Sequence, residues 1–307
     1  MASPATPPTL EPSIDPGLNR QWLQPLMVEL ARLGASGERP LVALNGPVGA
    51  GKSSLAAVLR KRAAALGLGL AVASIDDFYL PWELRRLALA GNPFGVSRVP
   101  PGSHDVALAL DCLKAWRAGG VLRLPRFDKT LIGGHGDRAG VEECDAEVLL
   151  LEGWLLGCRP LGSARLAQLS SHGVPGLSCD EQTWMCRWDQ ALEAYQPLWH
   201  QCSQLWLLRP QAWNLPRRWR LQAEAQQRRR GQAWLSADAL EWMVRSSLCS
   251  LPPALYQDPL NRRATGLAVL DSRRRWCGGW VKTSAVLDGG GDRDDQLSPS
   301  SPSSSTG

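Results

Sequence analysis

Residues 46–53 read Gly46-Pro47-Val48-Gly49-Ala50-Gly51-Lys52-Ser53, with Ser54 next. This is a complete G-x-x-x-x-G-K-[ST] phosphate-binding loop. Before it, Leu41-Val42-Ala43-Leu44 is a short apolar run, the pattern of a parallel strand buried on both faces. After it, Ser54 to Ala65 is rich in Ala, Leu, Lys and Arg, which favour helix. Strand, glycine-rich turn and helix in that order are the setting the motif requires. The backbone N–H groups of such a loop curl around phosphate oxygens, and the helix N-terminus adds partial positive charge. Lys52 is expected to reach the β- and γ-phosphates, and the Ser53 hydroxyl to bind Mg²⁺. The motif predicts nucleotide binding. It leaves open whether the phosphoryl group goes to water, to a protein or to a small molecule.

Working outward, short apolar runs at 41–45, 70–75, 148–152, 205–209 and 267–270 are candidate strands, most separated by segments long enough to hold helices. This alternation predicts an α/β fold, a three-layer α/β/α sandwich around a mostly parallel sheet. Ligands in such sheets bind outside the carboxyl ends of the strands. Residues 22–33 have an amphipathic helical pattern, and Asp238 to Leu248 read as a helix with Ser236 as N-cap. Residues 1–18 read as a mobile arm, 19–287 as the folded domain and 288–307 as a low-complexity, disordered tail. Two stretches, 81–105 and 125–140, read as long functional loops or small insertions.

The second strand delivers Asp76-Asp77-Phe78-Tyr79 at its carboxyl end, one strand on from the phosphate loop. Transfer to an alcohol needs a carboxylate there, to take the hydroxyl proton or to orient the hydroxyl for in-line attack. Asp76 is the better candidate for that base, and Asp77 for a metal-water or supporting contact. The alternative is a strand-end aspartate that caps a turn. Leu149-Leu150-Leu151-Glu152-Gly153 is an apolar strand ending in an acid, so Glu152 is a candidate Mg²⁺ ligand opposite Ser53, or else a plain strand terminus. Phe127-Asp128-Lys129 and Gly136-Asp137-Arg138 place cations and acids on one loop, and His104-Asp105 adds a polar pair. Cations there suit an anionic substrate, though surface ion pairs are the bland reading. Around Trp219-Arg220, a helical lid with an arginine for the transferring phosphoryl group competes evenly with a solvated helix carrying an Arg220–Glu224 ion pair.

Composition excludes several classes. The 307 residues carry a formal net charge of +5 and are 44% hydrophobic, enough for a packed core. No apolar run reaches about 18 residues, so no membrane span is expected. The N-terminal residues lack the pattern of a signal peptide. Eight cysteines without C-x-x-C or metal-type spacing read as reduced thiols in a cytoplasmic protein. Arginines cluster at 217–230 and 262–275, but a nucleotide and an anionic product account for positive potential, and no nucleic-acid module is present. The fourteen tryptophans have no evident role beyond core filling. Nothing fixes the oligomeric state; a monomer is favoured.

Taken together these residues resemble the plant and cyanobacterial type of glycerate kinase, in the P-loop kinase group with uridine kinase, phosphoribulokinase and bacterial pantothenate kinase. The resemblance runs from about residue 40 to about 270. It rests on Gly46–Ser53, Ser74-Ile75-Asp76-Asp77-Phe78-Tyr79-Leu80, Gly91-Asn92-Pro93, Pro101-Gly102-Ser103-His104-Asp105, Phe127-Asp128-Lys129, Gly136-Asp137-Arg138, Leu151-Glu152-Gly153-Trp154 and Trp219-Arg220. It implies a P-loop NTPase fold with a helical lid, ATP with Mg²⁺, and D-glycerate converted to 3-phosphoglycerate. In an oxygenic phototroph that step returns photorespiratory carbon. It further implies substrate contacts from Tyr79, Arg98, His104, Asp105, Asp128, Lys129 and Arg138, and a lid role for Arg220. Ser103 stands where the family pattern has threonine, Ser97-Arg98-Val99-Pro100 departs from an Arg-Gly-x-Pro pattern, and 161–183 reads as an insertion. A kinase of the same fold acting on a nucleoside, pantothenate or another sugar acid is the alternative. A nucleotide-binding regulator is the third reading; the chain lacks the Asn-Lys-x-Asp motif of a GTPase.

Overall fold

A computed structural model describes residues 14–229 and 236–282; the expected tail at 288–307 and most of the expected arm lie outside the described residues. Six strands form the central sheet: β1 (Leu41–Asn45), β2 (Leu70–Ser74), β5 (Val148–Gly153), β6 (Cys202–Pro210), β7 (Gly266–Leu270) and β8 (Trp276–Val281), in spatial order β2-β5-β1-β6-β7-β8. All neighbours are parallel except β7 and β8. Strand side chains alternate between two cores. Leu41, Ala43, Leu149 and Leu151 join the core on one face; Val42, Leu44, Val148 and Leu150 join the core on the other. A sheet apolar on both faces must be covered on both, and helices do so.

The tryptophans find their place in these cores. Trp22, Trp116, Trp188, Trp206 and Trp219 are among the largest fully buried side chains, and Trp22 meets Trp206 edge to face at 5.6 Å. The N-terminal helix begins at Pro16–Leu18, passes through a π-helical turn, Asn19–Leu23, and continues as Gln24–Gly34. The helix after the phosphate loop starts at Lys52, and Ser236 caps the helix Ala237–Cys249.

Of the two forms expected for 125–140, a long functional loop or a small insertion, the chain takes the second: β3 (Leu122–Asp128) and β4 (Asp137–Cys144) pair antiparallel as a separate two-stranded sheet, joined through 129–136. Pro125 disguised it, because a proline inside a run argues against a strand, and here the register shifts between Pro125 and Phe127. Residues 161–183, expected as an insertion, are helical for much of their length. They hold the helix Ser163–His172 and the start of Cys179–Ala191, whose N-terminus is a capping box of Ser178 and Glu181. Arg245 secures that box from outside, at 2.6 Å from Glu181.

Candidate active site

The strand order brings three carboxyl ends side by side. β5 lies between β2 and β1, with Ser74 in register with Glu152 and Asn45 with Gly153. The phosphate loop leaves β1, Glu152 closes β5, and Asp76 and Asp77 follow β2. The Gly46 N–H donates to the Gly153 carbonyl at 3.1 Å, which ties the loop to the acidic strand end.

Within this cluster the Ser53 hydroxyl donates to Glu152 Oε1 at 2.7 Å, and Lys52 Nζ stands 3.9 Å from Glu152 Oε2. Lys52 Nζ also donates to the Pro47 carbonyl at 3.2 Å. Burial pushes the Lys52 ammonium below its ordinary value, against the pull of Glu152 and Asp76. A hydroxyl and a carboxylate in contact, beside a buried cation and a glycine-rich cradle, suit a phosphate-bound Mg²⁺.

Gly49 shows how tightly the cradle is framed. Its φ is +76°, and an added Cβ would lie 2.8 Å from the Arg220 backbone nitrogen and 2.9 Å from Trp219 Cβ. The helix Leu215–Arg229 therefore lies directly on the phosphate loop. Trp219 is fully buried, and Arg220 pairs with Glu224 at 3.0 Å, so the i,i+4 ion pair is present. Arg274 completes the frame. Its Nε donates to the Gly49 carbonyl and its Nη2 to the Trp219 carbonyl, each at 2.7 Å. One guanidinium thus clamps the loop to the helix.

Asp76 and Asp77 divide as neighbours with opposite duties. Lys129 Nζ lies 2.8 Å from Asp76 Oδ2. Burial opposes ionisation of Asp76, but the Lys129 charge and hydrogen bonds from Lys129 and Tyr79 outweigh it and hold the carboxyl well below the usual carboxylate range. Asp77 is engaged by the scaffold. It accepts from the Ser74 and Phe127 amides and from Arg126 at 2.9 Å, and so links the β2 turn to the hairpin. Burial pushes its carboxyl up, partly offset by those donors. Of its two expected duties, metal-water or supporting contact, this geometry favours the second.

The other expected substrate residues separate in the same way. Tyr79 and His104 are buried, stacked at 4.5 Å, and joined by an isolated bridge. Burial pushes His104 down to about 4, against the pull of Asp76, so its ring is neutral at pH 7. Arg138 donates to Asp105 at 2.7 Å and to the Tyr79 carbonyl at 3.1 Å. Asp105 also caps the helix Val106–Arg117 through the Leu108 amide. Arg98 and Asp128 do not face the cluster as free recognition groups. Arg98 Nη1 donates to the Gly134 and His135 carbonyls, and Asp128 accepts from Thr130 N and Oγ1 in a local turn.

The sequence reading missed a central scaffold residue, Arg85. It is fully buried and donates to the carbonyls of Leu80, Ser97, His135 and Gly136. Its guanidinium also lies over Tyr79, Trp82 and Phe127. It binds the hairpin turn to the base of the Asp76 loop. No local motif announced it, because the carbonyls of His135 and Gly136 that it joins to Leu80 lie 50 and 51 residues away in sequence. Among the described residues no helix is long and apolar enough to cross a membrane.

No family model matches the chain. It is 30% identical over 234 residues to the chloroplastic D-glycerate 3-kinase of Arabidopsis thaliana, covering 71% of this chain and 49% of that protein. The chain thus spans about half the length of this plant relative. It is also 30% identical over 203 residues to the uncharacterized kinase mug58 of Schizosaccharomyces pombe, covering 61% of this chain and 70% of that protein. The fold is similar to that of the D-glycerate 3-kinase of Cryptococcus neoformans, with a TM-score of 0.73 and 22% identity over 85% of this chain and 99% of that one.

Proposed function

The chain belongs to the glycerate-kinase family of P-loop kinases, and from that membership we propose that it transfers the γ-phosphoryl group of ATP to D-glycerate, giving 3-phosphoglycerate. The observation that carries this reading is one cluster: Ser53 on Glu152 at 2.7 Å beside the phosphate loop, and Asp76 on Lys129 at 2.8 Å across the next strand end. The first pair fits nucleotide and metal; the second fits a small anionic alcohol.

ATP supplies the phosphoryl group, and Ser53 and Glu152 would hold Mg²⁺, which would offset the phosphate charge. Gly46 to Ser54 present backbone N–H groups to the phosphates, and Lys52 adds a buried cation. Asp76, ionised at neutral pH, accepts the proton of the acceptor hydroxyl and fixes its direction. Lys129 and Arg138 supply positive charge for the substrate carboxylate, while His104 offers a neutral ring to its oxygens. Asp77, Arg85, Arg98 and Asp128 hold these groups in place. Such a reaction would serve photorespiratory glycerate salvage in an oxygenic phototroph.

ADP release measured with D-glycerate, L-glycerate, uridine and pantothenate tests the acceptor. Phosphorus NMR of the product identifies the oxygen phosphorylated. Turnover of uridine or pantothenate in preference to D-glycerate would refute the reading.

A further inference from the structure

Residue Tyr195, at the end of the short 3-10 turn Leu192–Tyr195, reaches the Gly102–Asp105 loop from the helical segment that carries no family motif. Its hydroxyl accepts from the Gly102 amide at 3.0 Å and lies 2.8 Å from His104 Nδ1. The Gly102 amide engages one lone pair of the phenol oxygen, and His104 Nδ1 is the acceptor that its proton can reach among the described residues.

Only one tautomer of His104 uses that proton. If Nδ1 carried hydrogen, it would donate to the phenol oxygen and leave the phenol proton with no acceptor among the described residues, whereas Nε2 lacks a partner in either tautomer. Each unsatisfied buried group costs about 1–3 kcal/mol. With Nδ1 bare, the phenol donates to it and the ring hydrogen sits on Nε2. Ser103 does not compete as a donor. Its hydroxyl is 3.4 Å from Nδ1 and donates to the Pro100 carbonyl at 2.6 Å.

Nε2 is buried and has no hydrogen-bond partner among the described residues. His104 is 5% exposed, and buried donors are rarely left unmatched. Its ring is stacked on Tyr79 and feels the Asp76 carboxylate. We propose that Tyr195 is a positioning residue that fixes His104 as the Nε2–H tautomer, so that Nε2–H donates to an oxygen of the hydroxy-acid substrate. This rests on the acceptor reading given above for its ligand, but the tautomer itself does not.

Histidine-selective ¹⁵N labelling of the full chain tests the tautomer without substrate. The chain has four histidines, and His104→Gln assigns the signal. At pH 7 the wild type should show a protonated Nε2 and a bare Nδ1. Tyr195→Phe should show a tautomer mixture, because Nδ1–H can then turn to Ser103 Oγ. A wild-type ring protonated on Nδ1, or on both nitrogens, overturns the proposal. Kinetics supply the second arm. Tyr195→Phe should lower kcat/KM for D-glycerate about tenfold and leave the ATP KM unchanged. In the His104→Gln background, where the amide donor has no tautomers, adding Tyr195→Phe should cost less than twofold. A full tenfold loss there would make Tyr195 merely structural. Absence of D-glycerate turnover with the Nε2–H tautomer intact would refute the acceptor reading and leave the ring assignment standing. The wrong tautomer with turnover intact would refute the positioning role alone.

Discussion

Replacing Lys129 with methionine should move the acid limb of the pH–rate profile. The ammonium sits 2.8 Å from Asp76 Oδ2. At that separation a unit pair is worth about 1.5 kcal/mol at water's dielectric constant and about 6 kcal/mol at an effective constant of about 20. Lys129 is 57% exposed and Asp76 27%, so solvent screening favours the low end; about 2 kcal/mol is a fair figure. One pH unit is about 1.36 kcal/mol, so the Asp76 pKa should rise by about one to two units in the variant. The sign follows from the base's duty. Asp76 must be ionised, so activity is lost as pH falls through its pKa. In the wild type that point lies well below the ordinary 3.8, because Lys129 outweighs burial. Without Lys129, burial acts with less opposition and the limb should move up towards the ordinary carboxylate value. The assay is kcat against pH from about 2.5 to 8 at saturating ATP and D-glycerate, since kcat reports the bound complex, and the variant should lose rate at the acid end where the wild type does not. Superimposable acid limbs for the two proteins would refute the assignment of Lys129 and Asp76 as a working pair.

Other outcomes are expected from the same geometry. Lys52→Ala should lower kcat by at least ~10²-fold, and Glu152→Gln should raise the Mg²⁺ concentration needed for half-maximal rate; an unchanged Mg²⁺ titration would remove Glu152 from the metal site. Arg138→Ala should lower kcat/KM for D-glycerate ~30-fold with ATP affinity nearly constant, and glyceramide, which lacks the charge, should be a poor wild-type substrate; equal use of both acceptors would rule out carboxylate recognition. Gly49→Ala should weaken ADP binding at least ~10-fold by calorimetry, because φ +76° and the Trp219–Arg220 backbone leave a Cβ no room; wild-type affinity would contradict the packing. Burial holds His104 down to about 4 in the folded chain, below the ordinary 6.5 of a free imidazole, so the unfolded chain binds the extra proton. Stability should therefore fall between pH 6.5 and 4, by on the order of 3 kcal/mol, and His104→Gln should flatten that part of the denaturation profile.

The local arrangement around the phosphate loop was legible because its parts are contiguous. A strand, eight loop residues and a helix carry their own geometry, and the strand-end acids at 76, 77 and 152 could be placed from apolar runs alone. The partition of roles among polar residues was not legible. Asp76 and Asp77 are adjacent, yet one meets Lys129 and the other Arg126, and only the hairpin's register decides which. Arg98 and Asp128 look like recognition groups in the sequence, but backbone groups within the fold take up their bonds. Arg85, Tyr195 and Arg274 were missed for the complementary reason. Their partners are mostly backbone carbonyls and amides, which leave no side-chain pattern to match.

The Arg274 clamp bears on the order in which the protein is made. The guanidinium and the Gly49 carbonyl it holds are 225 residues apart. A ribosome therefore releases the whole phosphate loop long before the group that steadies it. Domains begin to form during synthesis, N-terminal parts first. An emerging chain that already contains Lys52 still has an unbraced loop until the turn between β7 and β8 is out. Nucleotide should accordingly protect stalled nascent chains from proteolysis only once they extend past Arg274. ATP would then stabilise the finished polypeptide and offer little shelter to its precursors.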